Sequence, residues 1–176
     1  VAMSNAGFEA VGMADSIQDD RCRLRLVRLG AETLATLDRQ LAEHRLGGLV
    51  DAKNPFDVTP MATDAAFAAL VGTLLGDPGV DAAVVGIVPL TPAMQTLAAG
   101  PGHGESVLDP GSVCQQLPGV ARASRKPVVA VIDSGALFDP MEAALESGGV
   151  PVFRSADRAM RVLCRWLDGR LRRRSR

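Results

Sequence analysis

Apolar side chains recur along this chain with two different periods, one typical of helices and one typical of buried strands. Between residues 67 and 75 they fall at positions i, i+3, i+4, i+7 and i+8, which places them on one face of an α-helix. This face consists of Phe67, Leu70, Val71, Leu74 and Leu75. Residues 82–88 are apolar without alternation, as in a strand that is buried on both faces of a parallel sheet. The centre of the chain therefore predicts a helix, an Asp-Pro-Gly turn and a core strand.

The same reasoning extends to both ends of the chain. Strands are predicted at 1–3, 128–132 and 150–153, and the alternating segment 23–29 predicts a strand with one polar face near a sheet edge. Helices are predicted at 6–17, 31–44, 110–124 and 139–147, and a last one follows Ser155. The first should bury Phe8, Val11, Met13, Ala14 and Ile17, and the last Ala159, Met160, Val162, Leu163, Trp166 and Leu167. A helical turn is expected at 93–97, then a flexible loop at 98–111 that is rich in Gly and Pro.

Strands that alternate with helices predict an α/β fold with a parallel sheet covered on both sides. Right-handed crossovers favour a flavodoxin-like three-layer arrangement of five strands in the order 2-1-3-4-5. We expect residues 1–176 to form a single domain. Because the chain starts inside an apparent strand, we also expect it to be a fragment of a longer polypeptide.

Composition and charge exclude several classes of function. The formal net charge of −1 gives no general reason to expect binding to nucleic acid or membranes. The Arg-rich end, residues 165–176, is interpreted as a solvated helix end rather than a nucleic-acid contact, because no second basic patch accompanies it. Cys22, Cys114 and Cys164 are widely spaced, which fits apolar filling in a reduced cytoplasmic compartment. No segment has the length and apolarity of a membrane span or signal peptide.

Candidate chemistry lies where the three central strands end, because ligands of open α/β sheets bind at the carboxyl ends of the strands. These ends are followed by residues 4–7, 88–91 and 133–135. Ser4, Asn5, Ala6 and Gly7 open a helix with small residues, whose free amides could hold a phosphate or carboxylate. An ordinary helix cap explains the same residues, and Asn54 and Asp57 can likewise be simple turn formers.

No complete catalytic set is recognisable from the residues alone. His44 and His103 are the only histidines. His103 could act as a base or phosphate carrier, although a solvated loop histidine explains it better. No metal-ligand cluster is present, and neither are the glycine-rich phosphate loop, the dinucleotide fingerprint or the nucleophile elbow.

Five motifs follow one another along the chain. They are SNAGFE at 4–9, NPFDVTPMATDAAF at 54–67, DPGVDAAVVGIVPLTP at 77–92, KPVVAVIDSG at 126–135 and GVPVFRSADRAMRVL at 149–163. Together they resemble the NDP-forming acyl-CoA synthetases, the superfamily of ADP-forming acetate–CoA ligase and succinyl-CoA synthetase. The resemblance covers nearly the whole chain. The part of these enzymes that the chain resembles is their second flavodoxin-like domain, which is equivalent to the carboxyl-terminal domain of the succinyl-CoA synthetase β-subunit.

This resemblance implies a part in the reaction acid + CoA + ATP ⇌ acyl-CoA + ADP + phosphate, which proceeds through an acyl phosphate and a phosphohistidine. It implies that the helix start at 4–7 holds one of these phosphorylated groups. It further implies that two loops help to seat the acyl carboxylate, through Asn54, Asp57 and Thr59 in one and Pro89, Leu90 and Thr91 in the other. Transfer of an anion suits backbone amides as stabilising groups.

The departures from the family pattern limit what this chain should do alone. The phosphohistidine loop of GHxGA type is absent, and His103 does not match it. The CoA-binding and ATP-grasp domains of the family are absent too, so we expect such domains or subunits as partners. The expected ligand is a small carboxylic acid or its acyl phosphate, and the chain could form a homo-oligomer. We expect the whole enzyme to use CoA, ATP or ADP, and Mg, and we expect this domain to bind none of them firmly. The isolated chain should be inactive.

Two alternatives belong to other classes of function. One is a non-catalytic α/β binding or interaction module that shares the fold. The other is a response-regulator receiver or a flavin carrier. A receiver would need an acidic pair after the first strand, where Ser4 and Asn5 stand, and a flavin carrier would need aromatic residues that this chain, with no Tyr and one Trp, mostly lacks.

Overall fold

The structure, a computed structural model, describes residues 1–17 and 24–174. Its strands are β1 (Ala2–Ser4), β2 (Phe56–Asp57), β3 (Ala83–Gly86), β4 (Val128–Val131) and β5 (Val152–Phe153). Its helices are α1 (Gly7–Asp15), α2 (Ala31–Glu43), α3 (Asp64–Gly76), α4 (Val113–Ser124), α5 (Asp139–Ser147) and α6 (Ala156–Arg174). A 3-10 turn, Ala136–Phe138, precedes α5.

All pairings in the sheet are parallel, and the strand order is β2-β1-β3-β4-β5. Ser4 pairs with Asp57 on one side and with Gly86 on the other, and Gly86 pairs with Val131. The last residues of the three central strands therefore lie side by side. This confirms the predicted fold class and strand order.

The identity of the second strand was predicted wrongly. It is Phe56–Asp57, whereas residues 24–30 form no regular structure and Arg23 lies outside the described residues. The alternation there has a different cause. Leu29 is buried and Leu24 and Leu26 are half-buried against the domain, but the segment makes no ladder with another strand. Leu24 and Leu26 contact the apolar cluster on one face of the sheet, and Leu29 belongs to the cluster on the other face, so the alternation does not mark one buried face of a strand.

Helices cover both faces of the sheet, as predicted. On one face α2, α3, α4 and α5 bury the larger apolar cluster, and on the other α1 and α6 bury the smaller one around Met13, Val84 and Met160. The Thr63 hydroxyl caps α3 by accepting a hydrogen bond from the Ala66 amide at 3.2 Å. The predicted inner face of α3 is confirmed in full, since each of its five apolar residues is at most 1% exposed.

The inner faces of α1 and α6 differ from the prediction. Phe8 and Val11 are exposed, and α1 buries Glu9, Ala10 and Met13 instead. In α6, the Val162 and Trp166 side chains are also exposed, whereas Ala159, Met160, Leu163 and Cys164 are buried. In both helices the predicted apolar stripe is wider than the contact with the sheet, so its margin faces outward.

The long connection between β3 and α4 is more ordered than predicted. The helical turn predicted at 93–97 does not form. The connection contains only turns, at 92–93, 101–102, 107–108 and 110–111, and α4 begins at Val113 rather than near Pro110. The Glu105 carboxylate accepts hydrogen bonds from the Thr96 and Leu97 amides at 2.7 and 3.2 Å. These bonds fasten the connection to itself beside the sheet, which a composition of Gly and Pro does not reveal.

No helix within residues 1–17 and 24–174 combines the length and the apolar character that a membrane crossing requires.

Candidate functional site

The turn after β3 and the start of α1 are joined by one side chain. Asn5 is completely buried between them. Its Oδ1 accepts a hydrogen bond from the Val88 amide at 2.8 Å, and its Nδ2 donates to the Val88 carbonyl at 2.9 Å. A side-chain amide thus pairs with a backbone peptide as a neighbouring strand would. The predicted segments 4–7 and 88–91 therefore lie together at the carboxyl ends of the strands, which we call the carboxyl edge of the sheet.

The first amides of α1 have no helical acceptors. Ala6 precedes the helix in extended geometry and provides no side-chain cap. The amides of Glu9 and Ala10 both donate to the Ala6 carbonyl. The amides of Gly7 and Phe8 are therefore the ones at the helix start that have no acceptor within the described residues. Such amides, together with the helix dipole, attract an anion.

Asp57 stands beside this helix start. A Cβ atom added to Gly7 would lie 2.6 Å from the Asp57 Oδ2 atom, which shows how closely the carboxylate approaches. The other carboxylate oxygen, Oδ1, accepts a hydrogen bond from the Thr59 amide at 2.9 Å. A negative side chain thus already benefits from the positive end of α1, and any other anion there would have to share the position with it or displace it.

Two predicted site residues adopt left-handed backbone geometry. Thr59 has a φ of 62° and Leu90 a φ of 58°. This region is costly for a β-branched residue such as Thr59, and strained residues concentrate at functional sites. Both residues belong to turns that follow strands at the carboxyl edge, and the Leu90 amide is held by the Thr96 hydroxyl at 3.2 Å.

Asn54 does not join the other predicted residues. Its Oδ1 accepts from the amide of Ala2, the first residue of β1, and its Nδ2 donates to the Val27 carbonyl, both at 3.0 Å. These partners lie toward the amino end of β1, opposite the edge formed by residues 4–7 and 88–91. Asn54 therefore ties the irregular segment 24–30 to the sheet.

Three buried oxygens at the carboxyl edge lack hydrogen-bond partners among the described residues. They are Glu9 Oε1, Thr91 Oγ1 and Ser134 Oγ. They belong to the connections that follow β1, β3 and β4, the three central strands. Buried polar atoms without partners are rare in proteins, and a ligand is one of the few explanations for them. Their coincidence at one edge is a stronger signal than any one of them.

Glu9 is the site residue that sequence reasoning missed. Its side chain is buried at 6% exposure, and the Ser4 hydroxyl donates to its Oε2 at 2.6 Å. Its carboxyl group lies so close to Gly86 that a Cβ atom there would overlap it. One signal was available, because Gly86 interrupts an otherwise bulky strand and so leaves space for a neighbouring side chain.

Burial raises the pKa of Glu9 above its ordinary value of 4.5, because a charged carboxylate is poorly solvated there. The hydrogen bond from Ser4 acts in the opposite direction, and the negative charge of Asp133 adds to the increase. Folding thus shifts the balance of Glu9 toward the neutral acid relative to the unfolded chain.

Glu9→Gln is expected to remove a loss of stability at high pH. Because the pKa of Glu9 is higher in the folded than in the unfolded chain, its stabilising contribution is complete below the unfolded pKa of about 4.5 and disappears as the pH rises through the folded pKa. Urea unfolding at several values between about pH 4 and about pH 9 measures this. The midpoint of the wild type should fall relative to that of the variant. A constant difference across this range would contradict the raised pKa.

The fold is similar to parts of larger solved proteins. PH0766 from Pyrococcus horikoshii OT3 superposes with a TM-score of 0.71 at 24% identity, over 89% of this chain and 32% of that one. The dinucleotide-forming acetyl-coenzyme A synthetase 1 of Candidatus Korarchaeum cryptofilum superposes with a TM-score of 0.67 at 18% identity, over 91% of this chain. This holds for its apo form and for its complex with phosphate and ADP, of which the chain covers 31% and 30%.

No protein-family model and no curated protein matches the chain. It spans about a third of the length of the solved proteins above and has the fold of that part of their structures.

Proposed function

We propose that this chain is a domain of an NDP-forming acyl-CoA synthetase, an acid–CoA ligase. The start of α1 and the turn after β3 would hold the acyl phosphate or the phosphohistidine of that reaction. The observation that carries the proposal is the carboxyl edge itself, where free helix amides, a turn fixed by Asn5 and three unpartnered oxygens meet. The fold shared with an acetyl-coenzyme A synthetase supports it.

A second feature supports the view that another domain covers this edge. Each of four connections leaving the carboxyl ends of strands carries a large, exposed apolar side chain: Phe8, Met61, Leu90 and Leu137. Apolar side chains gathered around a polar centre are typical of interaction surfaces. We infer that the CoA-binding and ATP-grasp parts of the enzyme meet the domain here.

The remaining chemistry belongs to those other parts. No three Asp, Glu, His or Cys side chains in residues 1–17 and 24–174 converge as metal ligands would. We propose that Mg, CoA and the nucleotide are bound outside this domain and that the isolated chain is inactive. What it contributes is a set of fixed donors that stabilise negative charge without a side-chain base.

Asp57 favours the second candidate, a non-catalytic module that shares the fold. A carboxylate at the start of α1 can satisfy the helix in place of a ligand. The two functions differ in what happens when this charge is removed. In the ligase domain an anion should bind more tightly, whereas in a structural cap nothing should bind at all.

Anion binding tests the proposal. Acetyl phosphate, titrated into the labelled chain, is expected to shift the amide resonances of Gly7 and Phe8 with a Kd on the order of 1 mM. Asp57→Asn should strengthen binding about three- to tenfold, because it removes a competing charge. Gly7→Val should abolish binding, since its side chain enters the space beside the amides.

The matched control is Gly12→Ala in the same helix, where an added methyl group meets no atom within 4 Å. Its affinity should equal that of the wild type. If neither the wild type nor Asp57→Asn binds acetyl phosphate, the ligase assignment loses its support and the module becomes the better reading.

A further inference from the structure

Glu9 lies within the first turn of α1, the same turn whose free amides would hold an anion. The Ser4 hydroxyl accepts a hydrogen bond from the Ala6 amide at 3.1 Å and donates to Glu9 Oε2 at 2.6 Å. A short chain of hydrogen bonds thus connects the helix start to the carboxyl group. On its other side the carboxyl group packs against Gly86 and Met13, which offer it no donor.

The surroundings of Glu9 do not suit a negative charge. An ionised carboxylate seeks several donors, but Ser4 is the one donor found for it, and Oε1 is buried without a partner. A neutral acid tolerates this arrangement better, because an unpaired carbonyl oxygen costs less than an unpaired charge. The geometry alone therefore favours the protonated group.

We propose that Glu9 sets the charge of the candidate anion site, so that an anion binds at the start of α1 while Glu9 is a neutral acid and is released when Glu9 ionises. This inference rests on the proposed anion site and adds a residue to it that specifies when the site accepts its ligand. The proton comes from solvent, and it returns there on ionisation. Glu9 acts here as a positioning residue, since nothing requires it to touch the ligand.

Few other charges face Glu9 from the elements around it. Asp133 follows β4 and is exposed, and Asp57 is the last residue of β2 and lies beside Gly7. On α6 the buried residues are Ala159, Met160, Leu163 and Cys164, and the charged residues of its first two turns, Asp157, Arg158 and Arg161, are exposed. Within the described part of the chain, no cation has been found paired with Glu9. Asp133 and Asp57 add negative charge, which leaves Glu9 as the buried group whose protonation changes the balance.

Sulfate is the probe for the test, because it stays a dianion over the whole range in which Glu9 can titrate, unlike phosphate. In the wild-type chain, its affinity is expected to fall by about tenfold or more between pH 5 and pH 9, as a like charge appears within about one helical turn. In Glu9→Gln, which imitates the neutral acid, the affinity should stay near its low-pH value throughout.

Two further variants separate a linked proton from a merely structural effect. Asp133→Asn removes a nearby negative charge, so the midpoint of the pH profile should move to lower pH. Ser4→Ala removes the hydrogen bond that favours ionisation, so the midpoint should move to higher pH. Loss of packing alone would not shift the midpoint in opposite directions.

The reciprocal measurement follows the Glu9 carboxyl carbon by NMR, and saturating sulfate should raise its titration midpoint. Sulfate binding that is independent of pH in the wild type would overturn the role of Glu9 and leave the anion site intact. Absence of sulfate binding at every pH, in the wild type and in Glu9→Gln, would overturn both the anion site and this inference.

Discussion

Replacing Asn5 with alanine is expected to destabilise the chain by about 2–4 kcal/mol, because two half-buried backbone groups lose their partners at once. The Val88 amide and the Val88 carbonyl are both paired with the Asn5 side chain. Water cannot replace it easily, since Asn5 has no exposed surface. Such a loss is large compared with the free energy of unfolding of a typical protein, which is about 5–15 kcal/mol. Urea unfolding followed by circular dichroism measures it.

Asn5→Asp tests whether the amide group itself is responsible. The aspartate keeps the size of the side chain, but its carboxylate can no longer donate to the Val88 carbonyl and carries a buried charge. We expect a loss at least as large as that of Asn5→Ala at neutral pH, with partial recovery in acid, where the protonated group can donate again. Equal stability of Asn5→Asp and wild type at neutral pH would show that the bridge contributes little.

Asn54→Ala provides a matched control at the opposite end of β1. It also removes an amide that bridges two backbone groups, those of Ala2 and Val27. It should destabilise the chain, yet leave the affinity for sulfate unchanged. Asn5→Ala should weaken both stability and sulfate binding, because the turn after β3 is then no longer held against the start of α1.

The contrast between these two asparagines shows what a sequence can predict here. Both lie next to turns, and both were assigned to the site from their motifs. A motif identifies a turn, but not the end of the sheet at which the turn lies, since that depends on the pairing of strands distant in sequence. The order β2-β1-β3-β4-β5 followed from the alternation of elements, whereas the choice of Phe56–Asp57 as β2 did not.

The second strand was missed because it leaves almost no pattern. Two residues cannot show a period. The last hydrogen bond to β1 comes from the Val58 amide, which donates to the Ser4 carbonyl at 2.9 Å, and the positive φ of Thr59 then changes the direction of the chain. By contrast, α3 has thirteen residues and a continuous apolar face, so its prediction was correct. The length of an element decides how well its periodicity can be read.

Phe8 was predicted wrongly to be buried, and Glu9 was missed, for a different reason. Hydrophobicity assigns Phe8 to the inside and Glu9 to the outside, but in the structure the positions are reversed. Functional sites are where such reversals are expected, because ligands and partner surfaces need buried polar groups and exposed apolar ones. The reversal in the first turn of α1 is therefore consistent with a site there, and local composition could not have revealed it.

A different kind of contact governs the far side of the sheet, where Gly148→Ala is expected to cost about 1–3 kcal/mol. The added Cβ would lie 2.7 Å from the Pro118 Cβ and even closer to its Cγ. Pro118 lies inside α4, and its ring cannot rotate away. Helices α4 and α5 would therefore have to separate. The backbone of Gly148 is not the obstacle, since its φ of −77° suits alanine.

The cost can be assigned to this one contact by a double-mutant cycle. Pro118→Ala makes room beside Gly148, so adding Gly148→Ala to it should cost much less than in the wild type, with a coupling of about 1–2 kcal/mol. Gly119→Ala is the matched control in α4. No atom lies within 4 Å of an added Cβ there, so this change should stabilise the chain by about 0.5–1 kcal/mol through helix propensity. If Gly148→Ala is as stable as Gly119→Ala, the two helices can move apart freely and Pro118 does not set their distance. If the coupling appears, Pro118 in α4 requires glycine at position 148, the end of α5, because the two helices pack too closely there for a larger side chain.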